Sequence, residues 1–401
     1  MWKTVKISDV CEFQSGLWKG KKGPFVNANV IRNTNFKPDG KLSYENIAFL
    51  EVEVKELSKR QLIDGDIILE KSGGGEKTPV GRVCLFKNKE SEIPYSLSNF
   101  TCLIRVKQHS ILYYRYLHIF LHYMYAAGKT EPMQRNSTGI RNLQLKEYKE
   151  ICIPLPPIEE QKDIVTKLDA RFKEIDSKIN LNLKKLIYIE KLKKSVLNKI
   201  FGKDLIKLNE ASTLIKRGIS PKYTETGGIV VINQRCVRNH IINFSNARRH
   251  NVDLKKVPNE RIVEKGDVLI NSTGQGTLGR VAQVLEKPAE KTTVDSHVTI
   301  VRPKKELFDF GFFGKALIKI EDELKKAGEG TSGQTELSRS KLESNFFIPY
   351  LRSIQDQKEV SFKLDKIFEN TSVSANLINK TIQSLKALKL SLLNYELNKT
   401  G

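Results

Sequence analysis

The chain has 401 residues, of which 39% are hydrophobic and 28% charged, so it is too long for one ordinary core and too apolar for a disordered protein. It carries 68 Lys and Arg against 46 Asp and Glu, and this net charge of +22 favours a polyanionic partner. The alternative is that the protein comes from a genome rich in lysine codons, which would also give a positive net charge. No stretch approaches the roughly 18 apolar residues that a membrane span needs, and the N-terminus shows no apolar core of a signal peptide. The five cysteines are scattered along the chain, which predicts reduced thiols in a cytoplasmic protein.

A glycine-rich loop near the N-terminus places an aromatic ring among cations. Residues 18–23 read Trp-Lys-Gly-Lys-Lys-Gly, so backbone N–H groups and lysine side chains lie close together. Both kinds of group contact DNA phosphates. We predict DNA contacts at Trp18, Lys19, Lys21 and Lys22, the alternative being a solvated turn.

Gly65-Asp66 followed by the apolar run 67–69 predicts a tight turn that leads into a buried strand. The strand runs into a loop of small residues at 72–75, and Gly-Arg-Val at 81–83 follows. In this loop region, Ser72 and Lys77 are candidate DNA contacts.

Two histidines, His118 and His122, are four residues apart. A zinc-protease motif would need a glutamate where Ile119 stands, and no third ligand is evident. We therefore predict a helix with two partly buried histidines.

Residues 135–142 read Arg-Asn-Ser-Thr-Gly-Ile-Arg-Asn and carry side chains that can read base edges. Arginine pairs with guanine and asparagine with adenine in the major groove. Arg135, Asn136, Arg141 and Asn142 are candidate DNA contacts, again with a solvated turn as the alternative.

Pro154, Pro156 and Pro157 suit the start of a helix and cannot lie inside one. Beyond them, from about 159 to 200, apolar residues recur at steps of three and four with charged and polar residues between them. This spacing predicts a long coiled-coil or amphipathic helix. The positions expected to dock a partner are Leu168, Phe172, Ile179 and Leu186.

The same landmarks return in the same order about 200 residues later. Gly266-Asp267 precedes an apolar run, residues 272–276 form a small-residue loop, and Gly-Arg-Val follows at 279–281. A Thr-Ser-Gly loop at 331–333 and Ile-Pro at 348–349 lead to a second apolar stripe from about 354 to 398. Chance would not preserve this order, so we interpret the chain as a duplication of one unit.

The second copy supplies its own basic and polar loops, which offer the same phosphate and base contacts. Its candidate DNA-binding residues are Arg217, Arg235, Arg238, Arg248, Arg249, Thr273, Gln275, Ser332, Gln334 and Thr335. Its candidate docking residues are Leu364, Ile378, Ile382 and Leu385.

A helix of about 40 residues rises roughly 60 Å, which is longer than a small domain is wide. Such a helix cannot bury its apolar stripe alone, and the obvious partner is the helix of the other copy. Antiparallel packing would give a fixed spacer between two globular parts related by a pseudo-two-fold axis. The alternative for either stripe is a plain core helix.

These features resemble the specificity subunits of type I restriction-modification systems, and the resemblance spans the whole chain. Its strongest element is the segment 153–161, Ile-Pro-Leu-Pro-Pro-Ile-Glu-Glu-Gln, at the start of a long helix. The second copy departs from this pattern because Tyr-Leu-Arg-Ser at 350–353 replaces the proline run, while Gln357-Lys358 and the helix remain.

The resemblance implies a mixed α+β fold, with two pseudo-repeated α/β target recognition domains separated by two long antiparallel coiled-coil helices. Each domain would read one half of an asymmetric bipartite site in double-stranded DNA, as part of a prokaryotic defence system. The coiled coil would set the spacer and dock two modification subunits, which further restriction subunits would join. S-adenosylmethionine, ATP and magnesium would be bound by those partners only.

We expect four segments along the chain. The first recognition domain would span 1–157 and its helix 158–202. The second recognition domain would span 203–352, and the C-terminal helix 353–401.

Motifs for catalysis by the chain itself are not found in the sequence. Residues 274–279 match Gly-x-Gly-x-x-Gly, but strand-like residues follow where a dinucleotide site needs a helix, so we predict a turn between strands. There is no P-loop, no Asn/Asp-Pro-Pro-aromatic methyltransferase motif and no assignable Ser/His/Asp set.

We expect a non-catalytic DNA-binding subunit. The alternatives are a coiled-coil scaffold with an incidental basic surface and a self-contained methyltransferase, which would lack every motif it needs.

Overall fold

The fold was obtained as a computed structural model, and its described residues divide into two compact units. The first unit contains 1–183 and 379–401, and the second contains 184–378. The boundaries fall inside the two long helices, so each unit holds one globular part and a piece of both helices. The structure describes residues 2–18, 20, 22–37, 39–75, 78–89, 91–137, 139–328 and 336–398.

The first half of the chain is mainly short strands followed by one long helix. The strands are β1 (Lys3–Lys6), β2 (Cys11–Ser15), β3 (Phe25–Ile31), β4 (Ala48–Glu53), β5 (Ile67–Glu70), β6 (Ser72–Gly74), β7 (Val83–Leu85), β8 (Tyr95–Leu97), β9 (Thr101–Val106), β10 (Gln134–Ser137), β11 (Ile140–Leu143) and β12 (Cys152–Leu155). The helices are α1 (Ile7–Val10), α2 (Val54–Ser58), α3 (Tyr114–Ala126), α4 (Leu145–Lys149) and α5 (Ile158–Ile200).

The second half follows the same plan. The strands are β13 (Leu205–Lys207), β14 (Ser212–Arg217), β15 (Tyr223–Thr224), β16 (Ile229–Ile232), β17 (Val237–Arg238), β18 (Ile241–Ile242), β19 (Arg248–His250), β20 (Val268–Asn271), β21 (Val281–Gln283), β22 (Thr292–Val294), β23 (Val298–Pro303) and β24 (Phe347–Pro349). The helices are α6 (Leu208–Ala211), α7 (Phe310–Lys319), α8 (Glu321–Lys326), α9 (Arg339–Asn345) and α10 (Ile354–Leu397).

Each unit is built around a four-stranded antiparallel sheet, ordered β2-β9-β5-β7 in the first unit and β14-β23-β20-β21 in the second. All residues of β5 and β20 are buried, as the apolar runs after the two Gly-Asp pairs predict. A second sheet lies on each core, ordered β4-β3-β8 in the first unit and β15-β19-β16-β22 in the second. The duplication and the mixed α+β fold are therefore confirmed.

The repeated aspartate anchors the central strand of each unit. Asp66 accepts two hydrogen bonds from the Arg105 guanidinium, at 2.7 and 2.6 Å. Asp267 accepts the same pair from Arg302, at 2.8 and 2.9 Å. Because each carboxylate is almost fully buried, an uncompensated charge there would be costly, and the arginine balances it.

Each unit also pairs a segment of α5 with a segment of α10. In the first unit, Leu168 near the start of α5 shares a core with Leu393 and Leu397 at the end of α10. In the second unit, Leu197 near the end of α5 shares a core with Leu364 near the start of α10. The start of one helix lies beside the end of the other, so the antiparallel packing is confirmed.

A buried glutamine fixes the start of each long helix. The Gln161 side chain accepts a hydrogen bond from the Tyr113 N–H at 2.8 Å and donates to the carbonyls of Ile111 and Pro156. Gln357 makes the equivalent set in the second unit. The glutamine of each motif therefore ties the helix to the chain segment that precedes α3 or α7.

Candidate nucleic-acid interface

In the first unit, the loop after the central strand lies beside the β10–β11 hairpin. β6 pairs with β11, which places Asn142 opposite Ser72. The Ser72 hydroxyl donates to the Asn142 side-chain oxygen at 2.6 Å. On β10, Arg135 lies opposite Asn142 and Asn136 lies opposite Arg141. The structure thus brings together five of the predicted residues on one three-stranded sheet.

This small sheet presents polar side chains to solvent. Arg135 and Asn136 are exposed, and Arg141 and Asn142 are half-buried. The hairpin turns at Gly139, whose φ of 79° lies in the left-handed region that favours glycine. Side chains of this kind on a solvent-exposed hairpin can contact base edges or phosphates.

Sequence reasoning missed two neighbours of Ser72. The Asn33 side chain donates to the Ser72 carbonyl at 3.4 Å. The Phe100 carbonyl accepts hydrogen bonds from the N–H groups of Lys71 and Ser72, and Phe100 is 45% exposed. No local pattern points to either residue, because both reach the loop from distant parts of the chain.

The N-terminal loop is described only in part. Trp18 is 70% exposed and follows Leu17, whose backbone pairs with Ser98. Lys22 is also exposed. The predicted contacts Lys19, Lys21 and Lys77 lie outside the described residues.

In the second unit, the corresponding loop meets the chain at Glu336. Thr273 forms a backbone bridge with Glu336, and its hydroxyl hydrogen-bonds with Nδ1 of His297 at 2.6 Å. Arg217 pairs with the Glu336 carboxylate at 2.7 Å and donates to the Leu337 carbonyl. Arg217 and Thr273 are thus brought together. His297 is an exposed neighbour that sequence reasoning missed.

The predicted contacts Ser332, Gln334 and Thr335 belong to 329–335, outside the described residues. Gln275 is exposed in the turn that joins β20 to β21. The glycine pattern at 274–279 therefore forms a turn between strands, as predicted, and no helix follows it. Arg235 is exposed and comes directly after Gln234, which accepts hydrogen bonds from Asn271 and Thr277 beside this turn.

Three predicted arginines lie on other strands of the second unit. Arg238 is exposed at the end of β17. The Arg248 guanidinium lies 3.5 Å from the centroid of the Tyr223 ring, and Arg249 pairs with Glu290 at 2.5 Å. Within the described ranges, no hydrogen bond or ion pair links these arginines to the Thr273 loop.

His118 and His122 lie on α3 with their ring centroids 6.3 Å apart, as the predicted helix requires. Burial lowers the pKa of His118 to about 4 and also lowers that of His122. Across the described part of the chain, no group of three His, Cys, Asp or Glu side chains could hold a metal ion. None of the described helices is both long enough and apolar enough to cross a membrane.

The chain is similar to known specificity proteins. Residues 1–185 match the family model for the type I restriction modification DNA specificity domain. The putative type I restriction enzyme MjaX specificity subunit of Methanocaldococcus jannaschii is 26% identical over 210 residues, which are 50% of this chain and 46% of that protein. The EcoKI specificity subunit of Escherichia coli is 25% identical over 198 residues, or 49% of this chain and 42% of that protein. The matches therefore span less than half the length of these relatives.

A solved structure from work on complex assembly and conformational transition of the type I restriction-modification system has a TM-score of 0.73 to this chain. The two are 18% identical, and the similarity covers 99% of this chain and 97% of the other. At that identity the likeness shows the fold alone. The family-model match, the curated relatives and the shared fold all support a protein similar to the type I restriction-modification specificity subunits.

Proposed function

We propose that the chain is a non-catalytic subunit that reads an asymmetric bipartite site in double-stranded DNA, each unit reading one half. The observation that carries this proposal is the pairing of β6 with the β10–β11 hairpin, which gathers Ser72, Arg141 and Asn142 on one small sheet. Arginine and asparagine side chains have the donors and acceptors that distinguish bases. The net charge of +22 supports a DNA backbone as the partner surface.

The second unit would read a different sequence, because different side chains occupy the equivalent place. Thr273 and His297 stand where the first unit has Ser72 and Phe100, as the strand pairings around them indicate. Since specificity depends on the pattern of donors and acceptors, unlike loops favour unlike half-sites.

The paired helices would set the spacer and dock two modification subunits. Three of the predicted docking residues, Leu168, Leu364 and Ile382, are buried within the chain itself, so a partner would contact other apolar side chains of these helices. Exposed candidates on α5 and α10 are Leu181, Ile187, Tyr188, Leu192, Phe362, Val373, Leu377 and Tyr395. Apolar side chains outside the buried stripe support a protein contact.

Catalysis, S-adenosylmethionine, ATP and magnesium would then belong to the modification and restriction subunits, in a cytoplasmic complex.

The other candidate is a coiled-coil scaffold, which the exposed apolar residues on the helices also favour. A scaffold would assemble its partners without any preference among DNA sequences.

The test measures binding of the assembled complex to duplexes that carry mismatches in one half-site at a time. Replacing Arg141 and Asn142 with alanine should relax preference in one half-site only, by roughly 1 to 3 kcal/mol for each lost base contact. Lys178→Ala, on an exposed position of α5, is the control and should leave sequence preference unchanged. Equal changes in both half-sites, or in neither, would contradict direct reading by this hairpin.

A further inference from the structure

The two units can be compared position by position, because their backbone hydrogen bonds coincide. The Phe86 N–H donates to the Asp66 carbonyl at 2.8 Å, and the Val284 N–H donates to the Asp267 carbonyl at 2.8 Å. Since the two aspartates are equivalent, Val284 occupies the place of Phe86.

The same comparison identifies two more smaller side chains. The Tyr95 carbonyl accepts from the N–H of Leu62, and the Thr292 carbonyl accepts from the equivalent Val263, both at 2.9 Å. Thr292 therefore replaces Tyr95. In the register of the second sheets, Ala247 likewise replaces Ile47 immediately before β19 and β4.

In the first unit, the large side chains at these places form a packed aromatic cluster. The Phe86 and Tyr95 ring centroids are 5.4 Å apart, and Tyr44 meets Tyr95 edge-on at 6.0 Å. Ile47 packs against the same core. The space between the second sheet and β7 is therefore filled.

In the second unit, the smaller residues leave this space open as a cleft of about 750 Å³. Val230, Ile242, Ala247, Val284 and Thr292 line its interior. All residues that line the cleft are described. The equivalent space in the first unit holds the rings of Phe86 and Tyr95. The open cleft therefore suits an aromatic group supplied from outside the unit.

The mouth of the cleft indicates what kind of molecule supplies that group. Ile241, Phe244 and Leu285 surround it and are 66%, 48% and 67% exposed. A single free ring inside the cleft would leave these side chains in water. A polypeptide that inserted a ring would cover them, so the occupant is best matched by a protein segment.

The charges at the rim indicate the residues that flank the ring. Glu290 is paired with Arg249, and Glu286 is paired with Lys265. Arg248 and Lys287 also line the cleft, and neither has an ion-pair partner within the described ranges. The unbalanced charge at the mouth is therefore positive and favours acidic neighbours.

We propose that the cleft in the second unit binds an aromatic side chain flanked by aspartate or glutamate on an exposed segment of a partner protein. The Arg248 guanidinium, already stacked on Tyr223, would contribute cation–π and ionic contacts at the mouth. This surface is separate from the Thr273 loop and does not depend on which bases that loop reads.

The experiment uses the full chain and fluorescein-labelled synthetic pentapeptides, with binding measured by fluorescence anisotropy. One peptide carries tryptophan between aspartate and glutamate, the second replaces the tryptophan with alanine, and the third replaces both acidic residues with lysine. We expect the first peptide to bind about tenfold more tightly than the other two, since a buried ring and matched charges dominate such small contacts.

Two variants fill or recharge the cleft. Val284→Phe with Thr292→Tyr installs the side chains of the first unit and should weaken binding of the first peptide by about tenfold or more. Arg248→Glu should reverse the preference in favour of the lysine peptide, and it tests the proposal even if the filled variant fails to fold. Thr213→Tyr makes a matched change at an exposed position outside the cleft and should leave binding unchanged.

Equal affinity for the tryptophan and alanine peptides, or binding that the filled variant does not weaken, would overturn the proposal. N-acetyltryptophanamide binding as tightly as the peptide would assign the cleft to a free aromatic molecule instead. Displacement of the peptide by a single-stranded oligonucleotide would assign it to a nucleic-acid base. Self-association that disappears in the filled variant, seen by sedimentation velocity, would assign it to a second copy of the chain.

Discussion

The buried glutamine at the start of α10 offers a sharp test of how each long helix is fixed. Gln357 is fully buried, accepts from the Asp309 N–H at 2.8 Å, and donates to the Leu307 and Leu351 carbonyls at 2.8 and 2.7 Å. Gln357→Leu keeps a similar volume but leaves one N–H and two carbonyls without their partner.

The expected cost follows from those three groups. An unsatisfied buried polar group costs about 1 to 3 kcal/mol, and carbonyls that retain a second lone pair lie at the lower end. The sum predicts a loss of about 3 to 5 kcal/mol in the free energy of unfolding of the second unit. Urea unfolding followed by circular dichroism measures this loss as an earlier first transition.

Gln355→Leu is the matched control, because Gln355 is an exposed glutamine two positions earlier on the same helix. It should change stability by no more than about 0.5 kcal/mol. Hydrogen exchange at the Asp309 amide adds a local readout and should accelerate only in Gln357→Leu. If the two variants unfolded at the same urea concentration, the three hydrogen bonds would not be what holds the helix start.

Two further predictions concern buried titratable groups in the first unit. Arg105→Met should lower the free energy of unfolding by about 3 to 5 kcal/mol, because it leaves the buried Asp66 carboxylate without a balancing charge. The control is Lys6→Met in the exposed ion pair with Glu150, which should hardly change the melting temperature. His118 has a folded-state pKa near 4, below its ordinary value of 6.5, so protons bind the unfolded chain preferentially and stability should fall as the pH drops from about 6.5 to 4. At 1.36 kcal/mol per pKa unit the loss approaches about 3 kcal/mol. His118→Leu should flatten this part of a urea-midpoint profile, and an unchanged slope would refute the assignment.

The sequence was sufficient for features that depend on local periodicity. β5, β20 and both long helices lie where the apolar patterns predict them, because burial of one face or of a whole strand leaves a repeating signal. The glutamine after the proline run was visible as a motif. Its hydrogen bonds to residues before α3 and α7 were not.

The candidate interface was only partly predictable, because its geometry depends on contacts between distant segments. Asn142 was identified from its residue type, but its pairing with Ser72 across the sheet was not. Arg249 was predicted as a DNA contact from its residue type, but the sequence did not show that Glu290, far along the chain, pairs with it. Charge on an arginine is readable from sequence, and its neutralisation by a remote carboxylate is not.

The division of the chain into units also has a consequence for the order of folding during synthesis. The first unit needs Leu393 and Leu397 from the last turns of α10, whereas the second unit is one continuous stretch. At about 5 to 20 residues per second, roughly 200 further residues take on the order of 10 to 40 s to translate. The N-terminal sheet must wait that long with an incomplete core while the second unit can already be finished. A premature stop codon just before Leu393 would therefore damage the part of the protein that is made first.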